Sequence, residues 1–195
     1  MAREDGREMV VVISVNKQGL KDIIDIWFDE VPEVICTLSS IETLRANAIV
    51  SPANSFGFMD GGFDEAIVDV IGTYAPKMLR QDILDEHNGE LDIGSYQVVE
   101  THDNSFPYLI SAPTMRTPKD VSHTNNAYLH MRAVLKAMRY HEYDSVVMTV
   151  PCVGVGLMDK NIAAKQMRMA WQSMKRTAML SMDEAQRSDR ELYYL

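Results

Sequence analysis

Asn54, Asp64, Gly61 and Gly62 fall within one stretch, AIVSPANSFGFMDGGFDEAIVDVIG, residues 48–72. An amide offers donor and acceptor together, a carboxylate can orient or deprotonate a water, and glycines let backbone N–H groups approach a ligand closely. A second loop, PCVGVGLMD, repeats the glycine feature with Gly154 and Gly156. Two such loops facing one another suit a diphosphate held by backbone amides rather than by basic side chains. Each well-aimed hydrogen bond to a charged oxygen contributes about 1.5–3 kcal/mol. Glycine pairs also serve ordinary turns, Asn54 can bond its own backbone, and Asp64 can be a helix-start carboxylate that the helix dipole keeps ionised. At the level of single residues both readings stand.

Such loops work only if rigid elements hold them, and the flanking sequence supplies these. Residues 48–51 form an apolar run that reads as a buried strand, and Phe63, Ala66, Ile67, Val70 and Ile71 recur with helical period after the glycines. Further strands are read at MVVVISV, EVICTL, YQVVETH, YLISAP and SVVMTV, the last buried on both faces because it lacks alternation. Helices are read at KDIIDIWFDEV, PKMLRQDILDEH, NNAYLHMRAVLKAMRYH and, after Asp159 as an N-cap, KNIAAKQMRMAWQSMKRTAML. Strands alternating with helices predict an α/β fold in which a mostly parallel sheet is covered on both faces. In such sheets ligands bind beyond the carboxyl ends of the strands, where both loops belong. A chain of 195 residues without a Gly/Ser linker fits one domain, 1–195; residues 1–8 and 184–195 are polar tails that stay flexible, dock on a partner or pack back.

Composition narrows the function. With 19 Lys and Arg against 28 Asp and Glu, the formal net charge of -9 disfavours a nucleic-acid polymer as partner. No apolar run is long enough for a membrane helix, and the charged start MAREDGRE differs from a signal peptide. Cys36 and Cys152 have no paired spacing, which fits a reducing, cytoplasmic setting, and both read as core residues. The five histidines are scattered, so no metal site is expected. The methionines Met131, Met138, Met167 and Met174 recur at helical spacing and read as core filler.

The order strand, S-P-A-N, loop, G-G-x-D, helix resembles the macro domain family, whose members bind ADP-ribose and in several branches hydrolyse ADP-ribosyl bonds. That family's pattern runs N-A-A-N, short loop, G-G-G-V-D; here Ser51 takes the first asparagine's place, while Asn54, Gly61, Gly62 and Asp64 match. The wording S-P-A-N-S-F-G is similar to a phage and microbial branch, and the likeness extends through YLISAPTMR, NNAYLHMRAVLKAM and VPCVGVGLM. The resemblance implies a three-layer α/β/α sandwich around a mixed, mostly parallel sheet, with a nucleotide cleft between the two glycine loops. It implies that Asn54 contacts the ribose nearest the scissile bond and that Asp64 orients or activates a water. These two are the catalytic pair by that likeness. Ser51, Ala53, Gly61, Gly62 and Phe63 on the first loop, and Val153, Gly154, Val155, Gly156 and Leu157 on the second, then contact the ligand.

Two positions depart from the family. Ser40 stands where an aspartate usually binds the adenine amino group, and Val155 stands where the family carries a small residue in a longer loop. The implied partner is ADP-ribose or an ADP-ribosylated substrate, met in the cytoplasm, or in a host's cytoplasm if the chain is viral; no cofactor is implied and the oligomeric state is open. The alternative reading is a non-catalytic nucleotide reader or sponge, or a structural protein of a phage-like particle with a degenerate site. A dinucleotide dehydrogenase is excluded because no G-x-G-x-x-G follows the first strand.

Overall fold

The computed structural model describes residues 8–194. Its strands are β1 (Val10–Ser14), β2 (Val34–Thr37), β3 (Ala48–Ser51), β4 (Gln97–Glu100), β5 (Tyr108–Ser111) and β6 (Ser145–Met148). They form one sheet in the order β2-β1-β6-β3-β5-β4. All neighbours run parallel except β4, which is antiparallel to β5. The helices are α1 (Gln18–Phe28), α2 (Gly62–Ile71), α3 (Tyr74–His87), α4 (Asn126–Tyr140), α5 (Lys160–Ser173) and α6 (Met182–Glu191). A short 3-10 turn, Ile41–Thr43, precedes β3.

Alternate residues of each central strand feed two separate cores, as the period of two along a strand requires. Ala48, Val50, Ile110, Val146 and Met148 join α1, α4 and α5 on one side. Ile49, Leu109 and Val147 join α2 and α3 on the other. The sheet therefore lies between two helical layers, the α/β/α sandwich that the sequence predicts. Met131, Met138 and Met167 are buried in the first core together with Trp171, so their helical spacing marks packing.

The C-terminal region differs from the sequence reading. The last predicted helix, 160–180, stops at Ser173, and a separate helix, α6, follows in the segment read partly as tail. Ser181 and Glu184 form a reciprocal capping box at its start, the S-x-x-E signal of a helix N-terminus. Leu192 is buried, and its carbonyl accepts from Gln166 Nε2 at 2.9 Å. Of the expected tails, residues 1–7 and Leu195 lie outside the described residues. Because α6 has no buried residue of its own, its start depends on this cap. Ser181→Ala is expected to cost about 1 kcal/mol and to raise amide exchange along α6 while the sheet stays protected.

Candidate functional site

The first loop leaves β3 at Ser51 and ends at α2. It is held from several sides before any ligand is considered. Asn54 Oδ1 accepts from the backbone N–H groups of Phe56 (3.1 Å) and Phe58 (3.4 Å), and its Nδ2 donates to Phe58 O at 3.0 Å. Arg80 of α3 stacks over Phe58, and Arg116, paired bidentately with Glu90, lies over Phe56. Past the end of β3, Ala53 O accepts from Thr114 N, and the Thr114 hydroxyl donates to Pro52 O. Asn126 of α4 donates to Thr114 O at 2.7 Å, and the neutral His130 ring donates from Nδ1 to Ala112 O at 2.7 Å. Burial pushes that imidazole down to about 4, which keeps it uncharged.

Asp64 sits in the first turn of α2, and its Oδ1 accepts a 2.6 Å hydrogen bond from the buried Ser51 hydroxyl. The expectation that the helix dipole keeps Asp64 fully ionised is corrected here. Burial lifts its carboxyl from 3.8 to about 7, against the lowering effect of the Ser51 bond and with a smaller rise from the nearby Asp60 charge. The side chain is only partly exposed, and burial outweighs the Ser51 hydrogen bond. A carboxylate that titrates near neutrality with one oxygen fixed by Ser51 is a better-matched base than an ordinary aspartate.

The backbone around Asp64 offers donors. Among the described residues, the N–H groups of Asp60, Gly61, Gly62, Phe63 and Asp64 have no hydrogen-bond partner. Gly62 has φ +60°, in the left-handed region that its missing side chain permits. The second loop, after β6, leaves the N–H groups of Val153, Gly154, Val155 and Gly156 equally without partners. Its turn closes through Leu157 N to Gly154 O (3.1 Å) and Met158 N to Cys152 O (3.0 Å), and α5 then begins under the Asp159 cap. β3 and β6 are parallel neighbours, so both loops leave the same edge of the sheet side by side.

The remaining predicted residues fall as follows. Ala53 is buried in the first loop and Phe63 packs into the α2–α3 core. Val155 and Leu157 are exposed, at 65% and 66%, and offer an apolar rim. Ser40, also exposed, precedes the 3-10 turn that packs beside α2, and its carbonyl accepts from Thr43. Asn54 does not present a free amide: both acceptor positions of its oxygen serve its own loop. Cys152 is buried and burial pushes its thiol up to about 12, consistent with a packing role. Cys36 is likewise buried, with its thiol pushed up to about 11. The sequence reading missed Asp60, although it stands in M-D-G-G, and the Phe58–Arg80 and Phe56–Arg116 clamps, whose partners are remote in sequence. A cavity of about 460 Å³ between α1, α5 and α6, lined by Trp27, Lys165, Arg168 and Glu191, contains none of the predicted site residues.

The family model for the Macro domain matches residues 50–167, which hold both loops and the elements that carry them. The chain belongs to the macro domain family. Its likeness to solved macrodomains is one of fold. The macrodomain of Mycobacterium tuberculosis DarG is 20% identical with a TM-score of 0.58, over 71% of this chain and 89% of that one. A point variant of the Oceanobacillus iheyensis macrodomain, solved with ADPR, is 17% identical with a TM-score of 0.62, over 79% of this chain and 88% of that one. An uncharacterized protein of Aquifex aeolicus is 28% identical over 128 residues, 66% of this chain and 74% of that protein. Among the described residues of this macrodomain no helix is long and apolar enough to cross a membrane, and no cluster of His, Cys, Asp and Glu could hold a metal ion.

Proposed function

We propose that this macrodomain binds ADP-ribose or an ADP-ribosyl group, with the diphosphate between the two loops and the proximal ribose toward Asp64. The observation that carries this reading is a pair of loops leaving neighbouring strands, each with backbone N–H groups left unpaired, the first of them carrying a buried carboxylate. An anion bound there needs no lysine or arginine, in keeping with the acidic chain. The Oceanobacillus iheyensis relative solved with ADPR supports the choice of nucleotide. Asp64 then serves as the base that takes a proton from a water attacking the anomeric carbon as the bond from that carbon to the acceptor breaks, and the proton passes on to the departing acceptor. Ser51 holds its Oδ1, leaving Oδ2 for the water. Asn54 acts by fixing the loop around the ribose, and Val155 and Leu157 cover the ligand. Two buried, unpaired thiols suit a cytoplasmic setting.

Calorimetry tests the binding step directly. ADP-ribose is expected to bind with micromolar affinity, and AMP, which lacks the diphosphate, at least about tenfold more weakly, the equivalent of one lost charge-assisted hydrogen bond. No heat with ADP-ribose would sink the proposal. A second reading, a reader without turnover, is favoured by the closed amide of Asn54, which has no acceptor free for a ribose hydroxyl. Incubation with an ADP-ribosylated peptide separates the two: release of ADP-ribose supports hydrolysis, and binding alone supports the reader.

A further inference from the structure

Beneath Asp64 the sheet carries a row of polar side chains in register. Ser51 of β3 is the direct partner of Ser111 of β5, and Ser111 is in turn the partner of Gln97 of β4. Residues opposite one another across a strand pair point to the same face. Ser51 reaches Asp64 of α2, and Gln97 reaches Asp82 and His87 of α3, which places the whole row on the α2–α3 side. Leu109 and Ile49, two residues before Ser111 and Ser51, belong to that same core. Both ends of the row are hydrogen-bonded. Its centre is not: Ser111 Oγ is fully buried and has no protein partner.

A buried hydroxyl between two polar neighbours is rarely left alone, because such groups are satisfied by protein or by ordered water. Adjacent strands lie about 4.8 Å apart. Facing hydroxyls at that separation can bond directly in suitable rotamers, but Ser111 Oγ makes no such bond here, and the spacing also admits one water making two bonds of about 2.8 Å. Ser51 Oγ donates to Asp64 and accepts only a long bond from Ala53 N, at 3.3 Å, so it can accept another donor.

We propose that Ser111 is a positioning residue for Asp64, acting through one buried water that it shares with Ser51. This rests on Asp64 being the reactive carboxylate of the site. The water donates to Ser51 Oγ, which strengthens the Ser51 donation to Asp64 Oδ1 and favours the ionised carboxylate. The titratable groups around the row are Asp60 beside Asp64, and Asp82 and His87 at the Gln97 end. Desolvation and Asp60 push the carboxyl up, and the Ser51 chain is the element that holds it down. Ser111 sets how firmly it does so.

The test is a carbon-13 titration of the Asp64 carboxyl in the ligand-free protein, its signal identified by loss in Asp64→Asn. Ser111→Ala is expected to raise the Asp64 midpoint by about one pH unit, a tenfold change in proton affinity, with near-ultraviolet dichroism unchanged. An unmoved midpoint in a folded Ser111→Ala protein would overturn the proposal and mark the hydroxyl as a bystander. A crystal structure of the unaltered chain gives a second reading should Ser111→Ala fail to fold. Water density within hydrogen-bond reach of Ser111 Oγ and Ser51 Oγ supports the proposal, and side chains closed over that position overturn it. Neither measurement uses ADP-ribose, so both are independent of whether the nucleotide binds.

Discussion

On the proposed hydrolytic reading, Asp64→Asn is expected to lower ADP-ribosyl turnover by about 10²–10⁴-fold while leaving ADP-ribose affinity near that of the unaltered protein. The amide keeps the shape and still accepts from Ser51, but it cannot take a proton from water. In the unaltered protein the rate should rise with pH through about 7 and level off above it, because the working form is the ionised one. Folding stability should move the other way. The folded carboxyl holds its proton up to about 7 and the unfolded one releases it near 3.8, so the native state binds more protons across that interval. The stability this gives is complete below about 4 and is lost as pH rises through about 7.

A displacement of that size is linked to roughly 4 kcal/mol for a wholly buried group. Asp64 keeps some contact with water, and screening reduces the expected gain of Asp64→Asn at pH 8 to about 1–2 kcal/mol. Melting curves at pH 5 and pH 8 check this: the variant should gain about 4 °C at the higher pH and about a third as much at the lower. Equal melting at both pH values would mean that Asp64 is an ordinary exposed carboxylate.

The second large effect is expected at Gly156. A Cβ there would lie 2.5 Å from Cys152 O and 2.7 Å from Val121 Cγ2. The carbonyl cannot yield easily, since it already accepts from Met158 N, and Gly156 O is held by Val121 N. Gly156→Ala must therefore reopen the turn and displace its free N–H groups. The expected cost is about 2–3 kcal/mol, a melting point lower by about 5–10 °C, and a loss of ADP-ribose affinity of more than about tenfold. Gly154→Ala is the control, because an added Cβ at Gly154 meets nothing within 4 Å. Its stability should stay within about 0.5 kcal/mol of the parent, and an equal loss in both variants would refute the packing argument.

The architecture was legible because the central strands are short, largely apolar and buried, and helices α1 to α5 repeat apolar residues at helical spacing. The break between α5 and α6 was not: KRTAML contains no Gly or Pro, and only the S-x-x-E at Ser181 announced a new start. At the site, residue types and spacing located both loops, since glycines and a polar joint after a buried strand are local signals. What the side chains do there depended on the folded geometry of the loops. Asn54 turns inward because its own loop supplies donors and an acceptor. Asp64 titrates high because folding buries it beside Ser51 and Asp60. Gly156 is required by the Cys152 carbonyl and Val121 rather than by a left-handed backbone. Val121 lies outside any local window, and for the nearer partners residue types do not dictate the contact geometry.

β6 lies between β1 and β3, and this order has a consequence for assembly. The earlier strands of the chain cannot close into one sheet until residues 145–148 are inserted between them. The two loops that would grasp a nucleotide meet only at that moment, so the binding cleft is born with the final zippering of the sheet rather than waiting on a preformed half. Such long-range closure makes for slow maturation on leaving the ribosome. A cognate nucleotide, captured only by chains that have completed it, would act as a latch on the finished form.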